Sequence, residues 1–136
     1  MIPKGTRGQG FKDSSEMLIN YKELKVWQKA YELCLDVYNV TKYFPSGERF
    51  GLNSQLRRAS VSIPSNIAEG YGKRTTPDYI RSLYIAYGSN CELETQTLIS
   101  GDLAYIEKVK QKKLLKKISE VERMLKALIK SLECKN

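Results

Sequence analysis

Five basic side chains, Lys112, Lys116, Arg123, Lys126 and Lys130, recur at steps of four, seven, three and four near the end of the chain. On a helix that spacing puts them on one face. At 1.5 Å per residue they form a line of roughly 27 Å. A row of fixed positive charge attracts phosphates without reading the bases they carry. The plain alternative is a solvated face that keeps the chain soluble. The charge is concentrated here: residues 107–136 hold ten basic and four acidic side chains, whereas residues 26–106 hold eight of each. The net charge of +8 is therefore mainly a property of the last segment.

A second constellation lies mid-chain. Gln55, Arg58, Ser62, Asn66 and Glu69 follow at three- and four-residue steps, so they share a helix face. The pair Arg57-Arg58 has two readings, phosphate binding or ion pairing with Glu92 or Glu94 on a neighbouring antiparallel helix. Arginine's planar fork suits partly buried carboxylates. The set Gln55, Arg57, Arg58, Ser62, Asn66, Glu69, Glu92 and Glu94 reads as a structural polar network or a subunit contact. Pro64 and Asn66 either shape helix packing or mark a ligand site.

Catalytic machinery is hard to find. The chain has no histidine, the commonest general base and metal ligand. No phosphate-cradling glycine loop and no nucleophile elbow occur. Glu92 and Glu94 are two residues apart on a helix and diverge. We expect no enzymatic activity, no cofactor and no metal site. Cys34 and Cys91 sit among apolar residues and read as small buried hydrophobes, which fits a reducing cytoplasm. Nothing approaches a membrane span. Among the tyrosines, Tyr31, Tyr38, Tyr84 and Tyr87 fall on apolar stripes and are expected in the core; Tyr71 and Tyr105 are better placed to stack on bases.

These side chains need helices to position them. At 136 residues and 41% hydrophobic content the chain suits a single folded domain. We expect a leader over 1–20 and a folded domain over 21–134. A first helix over about 21–43 carries Leu24, Trp27, Tyr31, Cys34 and Tyr38, widened by Val26, Ala30, Leu33 and Val37, with Asn20 as its cap. A second, over about 48–71, buries Leu52, Leu56, Ala59, Ile63 and Ile67. Pro64 should kink it, and Gly70 with Gly72 should stop it. A third starts at Thr76-Pro77-Asp78, turns Ile80, Leu83, Tyr84, Tyr87, Cys91 and Leu98 inward, and ends at Gly101. A fourth, over about 107–132, carries a heptad seam of Leu114, Ile118, Val121, Leu125, Leu128 and Leu132. Short loops make antiparallel neighbours, so the fold class is all-α, an up-down four-helix bundle.

Leu24-Lys25-Val26-Trp27, Phe44-Pro45, Gly51-Leu52, the run from Gln55 to Gly70, and Gly88-Ser89 with Glu92-Leu93-Glu94 together resemble the proteins encoded in intervening sequences of bacterial large-subunit ribosomal RNA genes. The resemblance covers roughly residues 21–134. It implies a left-handed four-helix bundle that assembles as a homo-oligomeric ring, a pentamer. Distantly similar proteins are the basic accessory proteins of diversity-generating retroelements, which engage a reverse transcriptase and nucleic acid. Two functional expectations stay open: a non-enzymatic oligomer that binds RNA, DNA or a ribonucleoprotein, with a nucleic-acid enzyme as a further candidate partner, or an oligomeric adaptor for an acidic protein.

Overall fold

The computed structural model describes residues 20–134. The expected leader lies outside them except for Asn20. Four α-helices carry the fold: α1 (Lys25–Thr41), α2 (Leu52–Tyr71), α3 (Thr76–Asp102) and α4 (Lys108–Cys134). Short 3-10 turns, Tyr21–Glu23 and Ser46–Glu48, lead into α1 and α2. Among the described residues there is no strand, and no helix is long and apolar enough to cross a membrane.

Side-chain contacts give the register. Thr41 meets Asn53 and Arg57, and Cys34 meets Ser60, so α1 and α2 are antiparallel. Ser62 and Ser89 share a hydrogen bond of 2.7 Å across α2 and α3. Asn90 donates to the Ile118 carbonyl at 3.0 Å, and Gln111 to that of Thr97 at 3.3 Å, which runs α4 back along α3. Lys29–Glu120 and Asp36–Lys117 close the circle between α1 and α4. The result is the expected up-down bundle, with α1 diagonal to α3.

Its interior corrects several expectations. α1 buries Val26, Ala30, Leu33 and Val37, the line expected only to widen the stripe, and with them Thr41. The aromatic line turns outward: Tyr31 and Tyr38 are exposed, and Trp27 is half-buried between Tyr21 and Tyr31. Aliphatic and small side chains let helix axes approach; rings at the same positions would hold them apart.

α3 departs further. Its inward seam is Leu83, Ala86, Asn90, Leu93, Thr97 and Ser100, stepping by three and four, joined by Ser82 and Gln96. Tyr84, Cys91 and Leu98, expected inside, are exposed. Half of the buried line is polar. Asn90 and Thr97 donate to backbone carbonyls, whereas Asn90 Oδ1, Gln96 Oε1 and Ser100 Oγ have no hydrogen-bond partner among the described residues.

On α4 the seam follows Leu114, Ile118, Val121 and Leu125 and then takes Ile129 in place of Leu128, which with Leu132 is only half-buried. A helix of 3.6 residues per turn drifts about 20° per heptad, enough to exchange neighbours after two repeats.

Gly72 caps α2 as expected, but two other glycines act differently from expectation. Gly70 lies inside α2, where a Cβ would stand 2.8 Å from the Ser82 Cβ, so it permits close approach of α3 instead of stopping the helix. Gly101 is likewise inside α3, covered by the Gln111 side chain. The actual stop is Ala104, in the left-handed region at φ 62°, with Tyr105 N–H donating to the Ser100 carbonyl and Ala104 N–H to that of Gly101. That is a Schellman arrangement built on alanine. At the other end of α3 the cap is Thr75, one residue earlier than expected, its hydroxyl accepting from the Asp78 N–H.

Candidate nucleic-acid interface

Burying Leu114, Ile118, Val121, Leu125 and Ile129 forces the opposite side of α4 into solvent. Lys112, Lys116, Arg123, Lys126 and Lys130 all lie there and all are exposed. Arg123 donates to Ser119 Oγ at 3.0 Å, an interaction that leaves its charge unneutralised. Lys126 is held more firmly. Its ammonium lies 3.5 Å from Glu122 and 5.8 Å from the Tyr87 ring centroid, and Tyr87 O–H donates to the same carboxylate. Hydrogen bonding with Tyr87, then the charge of Glu122, pushes its pKa up. Among the described residues the other four carry no ion pair.

The mid-chain polar set is only partly brought together. Ser62 joins Ser89, and the Asn66 amide donates back to the Ser62 carbonyl and hydroxyl at 2.9 and 3.0 Å. Gln55 and Arg58 are exposed, and no ion pair joins Arg58 to Glu92 or Glu94. Glu69 is exposed and pairs with Lys73 at 3.8 Å. The docked arginine is Arg57. Its Nε donates to the buried Thr41 hydroxyl at 2.8 Å, and its guanidinium lies 4.5 Å from the Tyr38 ring centroid. Thr41 in turn donates to the Val37 carbonyl. One residue of register decides this: position 57 faces α1, whereas position 58 turns away from it.

Of the loop tyrosines, Tyr105 packs on Phe44 and donates to Glu48, which raises its pKa through that hydrogen bond. Tyr71 packs edge-on against Tyr79. Cys91, expected buried, is exposed, and its thiol pKa is pushed up by local desolvation and then by Glu122 and Glu94. A raised thiol pKa suppresses the nucleophilic thiolate.

Sequence reasoning overlooked a second basic set. Lys110, Lys113 and Lys117 point along α4 toward α1, where with Lys116 and the exposed Tyr43 they border a cleft between the two helices. The signal was present as lysines at steps of three and four, masked by the longer outward line running beside it. A smaller basic hollow on the far side of α1 is lined by Arg49, Phe50, Arg57 and Arg58.

Comparison with known proteins bears on the whole bundle. A crystal structure of a protein of unknown function from the S23 ribosomal protein family of Bacteroides thetaiotaomicron superimposes with a TM-score of 0.72 at 24% identity, covering 77% of this chain and 95% of that one. At that identity the likeness establishes the fold. No curated protein matches the sequence significantly. The model of the 23S rRNA-intervening sequence protein family matches residues 22–127, from the first turn through most of α4, and the chain belongs to that family.

Proposed function

We infer that this protein is a non-enzymatic, self-associating helical bundle that holds RNA or DNA through its phosphates, with little preference for sequence. One observation carries this reading. The outward face of α4 presents Lys112, Lys116, Arg123, Lys126 and Lys130 to solvent together, and Glu122 is the only carboxylate paired to any of them among the described residues. Positive charge that the fold leaves unneutralised along one helix face suits a polyanion. No base-reading module accompanies it.

Self-association is supported by where the apolar surface lies. Tyr84, Ile85, Leu98 and Ile99 are exposed along α3, and Tyr31, Leu35 and Tyr38 along α1. These helices occupy opposite corners of the bundle, so the two patches are different surfaces facing different ways. Unlike patches on opposite sides favour head-to-tail association, which closes into rings when the rotation permits. Gly88 sits mid-helix in the α3 patch, and a Cβ there would meet no atom within 4 Å among the described residues. No neighbour among the described residues requires it to be glycine, and another subunit's close approach would.

Electrophoretic mobility shift across a salt series tests the nucleic-acid reading. Binding should fall steeply with salt. Replacing the five basic residues by glutamine should lower the slope of log affinity against log salt by about 0.7–0.9 for each phosphate that is no longer neutralised. Absence of binding to any nucleic acid at low salt would refute it and leave an adaptor for an acidic protein as the better reading.

A further inference from the structure

Of the four neighbouring helix pairs, α1 and α4 share the loosest seam. Toward the end of the bundle where α1 finishes and α4 begins, that seam opens into a cleft of about 560 Å³. Val40 and Leu114 give it an apolar floor, and Lys110, Lys113, Lys116 and Lys117 line it from α4. Two carboxylates are present but engaged: Asp36 with Lys117, and Glu120 with Lys29 at 3.6 Å. Lys110, Lys113 and Lys116 have no ion-pair partner among the described residues. At the mouth stands Tyr43, 74% exposed, with the Lys110 ammonium 5.2 Å from its ring centroid.

We propose that this cleft seats a nucleotide of single-stranded nucleic acid, its base laid against Tyr43 and the Val40–Leu114 floor and its flanking phosphates on Lys110, Lys113 and Lys116. The inference rests on the nucleic-acid reading above and adds a location and a strand preference. The volume is of the size that holds small ligands. Every base has a π-face, so stacking on tyrosine is tolerant of sequence. Lysine ammoniums on flexible stems suit phosphates whose positions vary from one nucleotide to the next. A duplex offers the same phosphates but keeps its base faces stacked inside, so it meets the lysines and leaves Tyr43 unused. An acidic polypeptide would likewise need the lysines alone.

The test is fluorescence anisotropy on the full chain, with a short homopyrimidine single strand in RNA and in DNA form and a duplex of equal length. Both single strands should bind more tightly than the duplex. Tyr43→Ala should weaken single-strand binding roughly 5- to 150-fold while duplex affinity and salt slope stay put, and Tyr43→Phe should retain binding. Lys110→Gln with Lys113→Gln should lower the single-strand salt slope by about 1.4. Since these side chains are exposed, denaturation midpoints should match the parent and exclude misfolding. A loss with Tyr43→Ala in either strand supports the cleft, and the strand affected names the ligand. If these variants bind single strands unchanged while Lys112→Gln with Lys130→Gln weakens them, the cleft is refuted and the outer face of α4 stands. If the parent binds neither strand nor duplex at low salt, both proposals fall.

Discussion

Arg57 and Arg58 differ by one position and by almost everything else. Arg57 satisfies the buried Thr41 hydroxyl and covers the Tyr38 ring; Arg58 is exposed and has no ion pair among the described residues. Arg57→Ala should therefore cost roughly 1–3 kcal/mol, because the Thr41 oxygen loses a charged donor. Arg58→Ala should stay within about 0.5 kcal/mol of the parent. Urea denaturation of the two variants checks this, and equal losses would refute it. The sequence suggests an ion pair to Glu92 or Glu94 on α3, and the docked arginine is instead Arg57 against α1, since adjacent residues sit about 100° apart and the facing side is not fixed until the bundle closes. Tyr79 gives a pH signature. The residue is part-exposed, but desolvation of its phenol end, then the neighbouring Tyr71, raises its pKa well above the ordinary value. The unfolded chain then loses this proton first, so its contribution to stability is intact below about pH 10 and declines as pH rises beyond it. Tyr79→Phe should lessen the alkaline loss, read as the change in urea midpoint between about pH 8 and about pH 11.

Among the elements, all four helices were legible in the sequence; the buried faces of α2 and α4 were largely so, and those of α1 and α3 were not. The buried lines of α2 and most of α4 are aliphatic at helical spacing, and hydrophobic periodicity finds them. In α1 two apolar lines compete, and the choice depends on which fits against a neighbour. In α3 periodicity misleads because Asn90, Gln96, Thr97 and Ser100 are inside while Tyr84, Leu98 and Ile99 are outside. The same helix-level reasoning separates two glycines. Gly70→Ala would push a methyl against Ser82 and Tyr79 and should destabilise by roughly 1–3 kcal/mol. Gly88→Ala meets open space and should stabilise the isolated subunit by roughly 0.5–1 kcal/mol while weakening self-association. Thermal unfolding and sedimentation of the two variants separate these effects. Stronger association of Gly88→Ala would remove the glycine from the subunit interface.

For the molecule as a whole, the exposed lysines of α4 and the exposed apolar patch of α3 stand on different helices. The lysines of α4 face outward and toward α1, whereas the apolar patches follow α3 and α1. Assembly through the apolar patches would leave the lysine face open. Mass measurement in solution should report an oligomer, and Tyr84→Lys with Leu98→Lys should convert it to monomers that keep their helical content. A wild-type monomer at every concentration would refute the assembly. The exposed oily side of α3 carries a cost of its own. Turned half a revolution about its axis, that helix would offer Tyr84, Leu98 and Ile99 to the interior and send its amide and hydroxyl groups out to water. If another subunit covers that side, assembly closes this wrong way of settling, and refolding yield should then climb with concentration before precipitation sets in.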